Sequence, residues 1–287
     1  MIMSAPEWLG PGEEHDLNRR IKQSPMAGIG AVGSQRYTSP SNGGALMQPM
    51  SFGLSRRSFL ASGAALGFAG AARAAGTIKP DAKAALIVTD VQNCFVDGGT
   101  LPVKGGADIV PIINKLAPAF LNIVITQDWH TPGHVSFASA HPGKKPFETT
   151  QLPYGTQVLW PDHCIQGSED AAVLKDLKLP KAELIIRKGY HTHTDSYSAF
   201  MEADGKTATG LSGYFKERGI DTLFLTGLAT DFCVAWSAVD ARKFGFTTYV
   251  IEDATRAIDL NGSLAAAWKQ MTDAGVKRIQ SADIQPA

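Results

Sequence analysis

The chain has 287 residues, 44% of them hydrophobic, with 27 basic side chains against 27 acidic ones. That apolar share can fill a core and excludes wholesale disorder, while zero net charge offers no electrostatic footprint for nucleic acid. Three cysteines are too few for a disulfide scaffold, so any thiol of consequence is expected to act singly, and no apolar run reaches the ~18 residues of a membrane span.

Met1 to Gln48 is rich in Gly, Pro, Ser and Asn and has no sustained apolar period, as in a disordered leader. Gly28-Ile29-Gly30-Ala31-Val32-Gly33 fits G-x-G-x-x-G, but Pro25 precedes it and Gly53 stands near the place of the required acid. A dinucleotide site is therefore rejected. Ser55-Arg56-Arg57-Ser58-Phe59-Leu60 then leads into a small-residue apolar run from Phe59 to Ala72, closed by Ala72-Arg73-Ala74. Charged start, short apolar stretch and A-x-A end resemble a twin-arginine signal peptide.

The expected division is a leader or mis-called extension at 1–49, a signal at 50–74 starting at Met50 or Met47, and a folded domain at 75–287. Cleavage after Ala74 would remove seven basic and four acidic groups and leave a slightly acidic protein. Its expected location is periplasmic or otherwise exported, or cytoplasmic if the signal is not used, with no stable membrane anchor after cleavage.

Ala84-Ala85-Leu86-Ile87-Val88 is a continuous apolar run, as expected of a strand buried on both faces. Further strands are predicted at Ile123 to Ile125, Leu184 to Ile186, Leu223 to Leu225, Thr247 to Ile251 and Lys277 to Gln280. Helices are predicted over Ile109 to Phe120, Gly210 to Arg218, Cys233 to Phe244 and Leu264 to Ala274. The alternation implies an α/β fold with a parallel sheet and helices on both faces. Asp128 to Pro180 reads as a long loop, and loops of that length in a compact domain are usually functional.

In such sheets the site lies beyond the carboxyl ends of the strands. Asp90, Asp128-Trp129-His130, Lys188 and Gly227-Leu228-Ala229-Thr230-Asp231-Phe232-Cys233 all stand at such ends. Asp128 and His130, two apart, can point to one side, and with His163 they offer one carboxylate and two imidazoles for Zn²⁺, Fe²⁺ or Mn²⁺. His134 is left unassigned. His191, His193 and Asp195 form a competing cluster, read as a solvated loop. Cys233 lies where a strand-end loop becomes a helix, whose N–H groups and dipole favour thiolate and could hold an oxyanion. Asp90 could move the thiol proton, and Lys188 could hold Asp90 ionised and steady the sulfur. Cys94 and Cys164 read as small core residues.

Asp90-Val91-Gln92-Asn93-Cys94-Phe95, Asp128-Trp129-His130, Trp160-Pro161-Asp162-His163-Cys164, Lys188-Gly189 and Gly227 to Val234 run in the order of a known family. Over residues 84 to 281 the chain resembles the isochorismatase-like cysteine hydrolases, in particular their nicotinamide- and pyrazinamide-cleaving branch. The resemblance implies a three-layer α/β/α domain with a six-stranded parallel sheet and an Asp90–Lys188–Cys233 triad. It implies one divalent metal, Zn²⁺ first among the candidates, held by Asp128, His130 and His163. It implies a cis bond between Leu228 and Ala229, an oxyanion hole from the N–H groups of Ala229 and Cys233, and Phe95, Trp160 and Tyr197 as ring-binding aromatics. Cys94 departs from the family's usual residue.

The activity implied is hydrolysis of nicotinamide to nicotinate and ammonia through a thioester. The partner expected is a small-molecule amide, with no nucleic acid, and a homo-oligomer is compatible with the sequence. Two alternatives stand beside it: another amidase of the family, and an exported metal-binding protein without catalysis.

Overall fold

The computed structural model describes residues 78–286, so the expected leader, the G-x-G-x-x-G match and the twin-arginine segment lie outside the described residues. Six strands form the central sheet. They are β1 (Ala84–Thr89), β2 (Asn122–Asp128), β5 (Leu184–Lys188), β6 (Thr222–Leu228), β7 (Thr247–Arg256) and β8 (Lys277–Ile279). The order is β5-β2-β1-β6-β7-β8 and every pairing is parallel, as the sequence pattern predicts. A second, antiparallel pair, β3 (Thr149–Leu152) and β4 (Gly155–Val158), lies inside the segment expected to be irregular. Its residues are largely polar and mostly exposed or half-exposed, with only Gln157 buried, and carry none of the apolar density that marks the main strands.

Four helices flank the sheet: α1 (Val110–Leu116), α2 (Leu211–Glu217), α3 (Ala235–Lys243) and α4 (Ser263–Asp273). The first is shorter than expected. Pro118 has no amide to continue the ladder, so the helix tightens into a 3₁₀ turn at Ala117–Ala119. Successive strand residues alternate between two cores. Leu86, Val88, Ile123 and Phe224 pack with α1 through Ile113 and Leu116. Ala85, Ile87, Val124 and Leu225 pack with Phe215 of α2, Ala238 of α3 and Met271 of α4. This two-sided burial explains why the strands read as unbroken apolar runs. Phe120 and Phe224 meet edge to face at 5.2 Å in the first core, and truncating either to Ala would cost about 3–5 kcal/mol.

The register sets the chemistry. Thr89 pairs with Gly227 and Asp128 with Lys188, so the carboxyl ends of β1, β2, β5 and β6 finish at one edge. Gly227 has φ +106°, and a Cβ there would lie 1.9 Å from the Thr89 carbonyl oxygen. Only glycine allows β6 to turn into the next segment this close to β1.

Candidate active site

Asp90 follows β1 with φ +48°, a left-handed conformation that concentrates at functional sites when the residue is not glycine. Thr126 of β2 fixes it twice: the Asp90 N–H donates to Thr126 Oγ1 at 3.1 Å, and that hydroxyl donates to Asp90 Oδ1 at 2.5 Å. Lys188, fully buried, places Nζ 2.9 Å from Asp90 Oδ2, 2.5 Å from Asp128 Oδ1, 3.0 Å from the Ser196 carbonyl and 3.3 Å from Cys233 Sγ. Burial alone would lower the Lys188 pKa, but Asp128 and then Asp90 outweigh it and hold it well above the usual value. The ammonium therefore stays charged and joins both carboxylates to the sulfur. Lys188 thus bridges the expected triad and the expected metal ligands, a link that strand-end positions alone do not reveal.

Cys233 sits in a π-helical turn, Thr230–Val234, which enters α3. The sequence favoured a thiolate here; the structure corrects this. Burial pushes the thiol pKa well up, and Asp90 and Asp128 add to it against the opposing Lys188. A desolvated thiol beside two carboxylates keeps its proton at rest. Burial likewise raises Asp90, against Lys188, so a nearby carboxylate has proton affinity to match. The Leu228–Ala229 peptide bond is cis, as the resemblance implies.

Asp128, His130 and His163 bring one ligand atom each within 4.8 Å of one another. The histidine tautomers are set by backbone acceptors. His130 Nδ1 donates to the Gly189 carbonyl at 2.9 Å and His163 Nδ1 to the Pro161 carbonyl at 2.8 Å. In the neutral rings both Nε2 lone pairs are then free, and they face Asp128 Oδ2 at 3.6 and 3.8 Å. Burial, then His130, lowers the His163 pKa to about 4, which leaves this imidazole neutral at pH 7. Two imidazole lone pairs and one carboxylate oxygen, braced from behind, fit a divalent cation. Gly189 makes the approach feasible: its φ is +66°, and a Cβ would lie 2.5 Å from the His130 ring.

His134 does not complete this set. Its Nε2 faces the His191 and Thr194 carbonyls at 3.1 and 3.3 Å, and its Nδ1 faces Ser136 Oγ at 2.8 Å. Both ring nitrogens are engaged.

A narrow pocket opens onto Cys233 and the three candidate ligands. Phe95, Trp160 and Tyr197 line it as the resemblance implies, and Phe232, Leu101 and Ile258 join them unforeseen. Phe232 meets Trp160 edge to face at 4.8 Å. Tyr197 is held by its hydroxyl, which accepts from Trp160 Nε1 and Gln157 Nε2, both at 3.0 Å.

Asp195 also lines the pocket. His191 and His193 are exposed, as a solvated loop requires, but Asp195 is 2% exposed and accepts from Gln157 Nε2 at 2.7 Å. The reading of that whole cluster as solvated therefore fails at Asp195.

Two further residues escape sequence reasoning. The Gln92 side chain donates to the carbonyls of Asp128 and Ala171 and accepts from the Asp128 N–H, which clamps the end of β2. Asp231 accepts from Ile258 N, Asp259 N and Ser263 Oγ and pins the loop that carries Ile258. Their only signal was proximity in sequence to Asp90 and Cys233.

The cysteine reading needs a larger correction. Cys94 and Cys164 form a disulfide, both wholly buried, and only Cys233 is free among the described residues. The expectation that each thiol acts singly holds for Cys233 alone. The partners are 70 residues apart, and spacing along a chain does not reveal connectivity.

Residues 84–283 match the family model described as Isochorismatase domain. The nicotinamidase of Acinetobacter baylyi is 62% identical over 200 residues, covering 70% of this chain and 94% of that one. The crystal structure of PnC1 from L. infantum in complex with nicotinate aligns with a TM-score of 0.64 at 36% identity, covering 72% and 98%. The pyrazinamidase of Pyrococcus horikoshii in complex with zinc aligns with a TM-score of 0.57 at 31% identity, covering 69% and 99%.

Proposed function

This chain belongs to the isochorismatase family, and from that premise we propose that it is a cysteine amidohydrolase that converts nicotinamide to nicotinate and ammonia and also accepts pyrazinamide. One observation carries the reading. A single pocket is lined by the free thiol of Cys233 and by three ligand atoms converging for a metal, and a buried ammonium–carboxylate pair stands against the sulfur behind it.

The aromatic ring of the substrate lies among Phe95, Trp160 and Tyr197, which exclude water and hold the carboxamide over Cys233. Fixing the reacting atoms in this way supplies on the order of 7–11 kcal/mol at best. Asp128, His130 and His163 would hold a divalent ion, Zn²⁺ by the donor set and by the zinc in the Pyrococcus relative, and it would supply Lewis acidity to the pocket. Cys233 Sγ attacks the amide carbon as its proton passes to Asp90. The N–H groups of Ala229 and Cys233 take the developing oxyanion. Asp90 delivers the proton to the departing amide nitrogen, which leaves as ammonia, then takes one from the water that attacks the thioester carbon and returns it to Cys233 Sγ as the C–S bond breaks. Lys188 stays charged throughout and offsets the negative charge on either side of it.

The test is ammonia release from nicotinamide by the purified full chain, before and after chelation, with Zn²⁺, Fe²⁺ or Mn²⁺ added back. Activity that chelation abolishes and metal restores is the expected result. Turnover of another small amide that is lost in Cys233→Ala, with none of nicotinamide, would keep the hydrolase and discard this substrate.

Export through the twin-arginine segment is part of the same reading. It is supported by the buried Cys94–Cys164 disulfide, since cytosolic proteins rarely keep structural disulfides. Fractionation of cells carrying the full chain and its Arg56→Lys/Arg57→Lys variant tests it: the variant should stay in the cytoplasm.

A further inference from the structure

Resting on the metal-site reading above, we propose that the Cys94–Cys164 disulfide is a positioning device for the metal centre. It holds His163 and Phe95 together, so that metal retention follows the oxidation state of these two cysteines. The bond joins neighbours of functional residues on both sides. Cys94 precedes Phe95, and Cys164 follows His163. The Phe95 and His163 rings meet edge to face at 5.6 Å in the pocket. The cross-link thus ties a ring-binding aromatic to a metal ligand through one covalent bridge.

Cys164 also governs the second histidine. Its carbonyl accepts the His130 N–H at 3.0 Å, and the Gln166 N–H returns to the His130 carbonyl at 2.9 Å. His130 and His163 are therefore both referenced to the backbone at Cys164. That backbone is left-handed, with φ +46°, a conformation that a cysteine holds only when its surroundings impose it.

Asp170 is a further restraint, beside the Leu101 N–H on the Cys94 carbonyl at 2.9 Å and the Val103 N–H on the Phe95 carbonyl at 3.0 Å. Its carboxylate accepts from Cys164 N at 3.1 Å and from Thr100 Oγ1 at 2.7 Å, and its carbonyl accepts from Cys94 N at 2.8 Å. The Thr100–Asp170 pairing is solvent-exposed and so contributes little alone. The triad takes its support elsewhere. Asp90 and Lys188 stand at strand ends and Cys233 in the turn before α3, with no bond to either linked cysteine. Loss of the bridge loosens the metal wall and leaves the triad in place.

A trialkylphosphine tests this without the metal competition that a dithiol brings. Its phosphorus lone pair attacks one sulfur and breaks the S–S bond. Water then supplies the oxygen of the phosphine oxide and the two protons of the thiols. The full chain is measured oxidised, phosphine-reduced, and as Cys94→Ala/Cys164→Ala. Zinc affinity is read by competition with a chromophoric chelator, fold by near-UV circular dichroism, and Cys233 by alkylation of the metal-free double variant.

The expected result is a zinc affinity about 10–100-fold weaker on reduction and in the double variant, the range for loss of a ligand-orienting partner. KM rises, while kcat at saturating zinc and the Cys233 alkylation rate stay within about twofold. Asp170→Asn should deepen the loss in the reduced protein more than in the oxidised one. Reduced, folded protein with unchanged zinc affinity overturns the proposal. So does a parallel collapse of Cys233 reactivity, which would mark general loosening. If the double variant does not fold, zinc release from the phosphine-treated natural chain decides. An oxidised chain that binds no zinc at all defeats the metal-site reading itself, and this proposal with it.

Discussion

The pocket has two walls built on different principles. The wall that holds Asp90, Lys188 and Cys233 rests on the ends of β1 and β5 and on the turn after β6; β1 and β6 are buried on both faces, while β5 is the edge of the sheet and buries its terminal residue, Lys188. The wall that holds His163, Trp160 and Tyr197 rests on connecting segments, and its rigidity comes from cross-braces: Gln92 on Asp128, Gln157 on Asp195 and Tyr197, and the Cys94–Cys164 bridge. Strand ends place the nucleophilic groups, and a few buried contacts then fix them: Thr126 on Asp90, and Asp128 and the Ser196 carbonyl on Lys188. The ligand wall obtains the same precision only from contacts between residues far apart in sequence. Asp128 belongs to both, through β2 on one side and Lys188 on the other.

If the walls are separable, their variants should fail in different ways. The largest effect is expected from Cys233→Ala, which should lower turnover by on the order of 10⁴-fold or more and leave zinc binding intact, as measured by ammonia release and bound-metal assay. Joint loss of metal would mean the walls are one unit. His163→Ala should weaken zinc at least ~100-fold, while Cys233 in the metal-free protein alkylates at close to the natural rate. Gln92→Ala removes no ligand, yet it frees the Asp128 backbone and should cost ~10–100-fold in metal affinity by the same competition assay.

The resting thiol gives a pH signature. Since burial raises the Cys233 pKa well above the ordinary thiol range, thiolate is scarce at neutral pH and grows about tenfold per pH unit. The iodoacetamide rate of the metal-free chain should therefore climb without a plateau through pH 9, and a plateau near neutrality would restore the thiolate expectation. The smallest effect belongs to Gln157→Leu. It deprives Asp195 and Tyr197 of one donor, worth about 1–3 kcal/mol, and should raise KM several-fold with kcat little changed.

The sheet and most of its helices were readable because buried strands must be apolar on both faces, and Leu86 to Val88, Ile123 to Ile125 and Leu223 to Leu225 are unbroken in that sense. The β3–β4 hairpin was not, because its largely polar residues carry no such density. Asp90, Lys188 and Cys233 were readable as polar residues at the ends of such runs. Asp195 was not: nothing local distinguishes it from His191 and His193, and only the fold turns its carboxylate inward.

The sequence by itself determined the parallel α/β sheet, the edge on which the chemistry gathers and the residue types that meet there, since these follow from local apolar periodicity and from where it stops. Tertiary structure alone decided the rest. It joined Cys94 to Cys164 across 70 residues, set Lys188 between both carboxylates, kept Cys233 protonated, and turned His134 onto backbone carbonyls. The physical reason is common to all four. Pairing, protonation and tautomer depend on distances and dielectric between groups remote in the chain, and those exist only once the two walls close on each other.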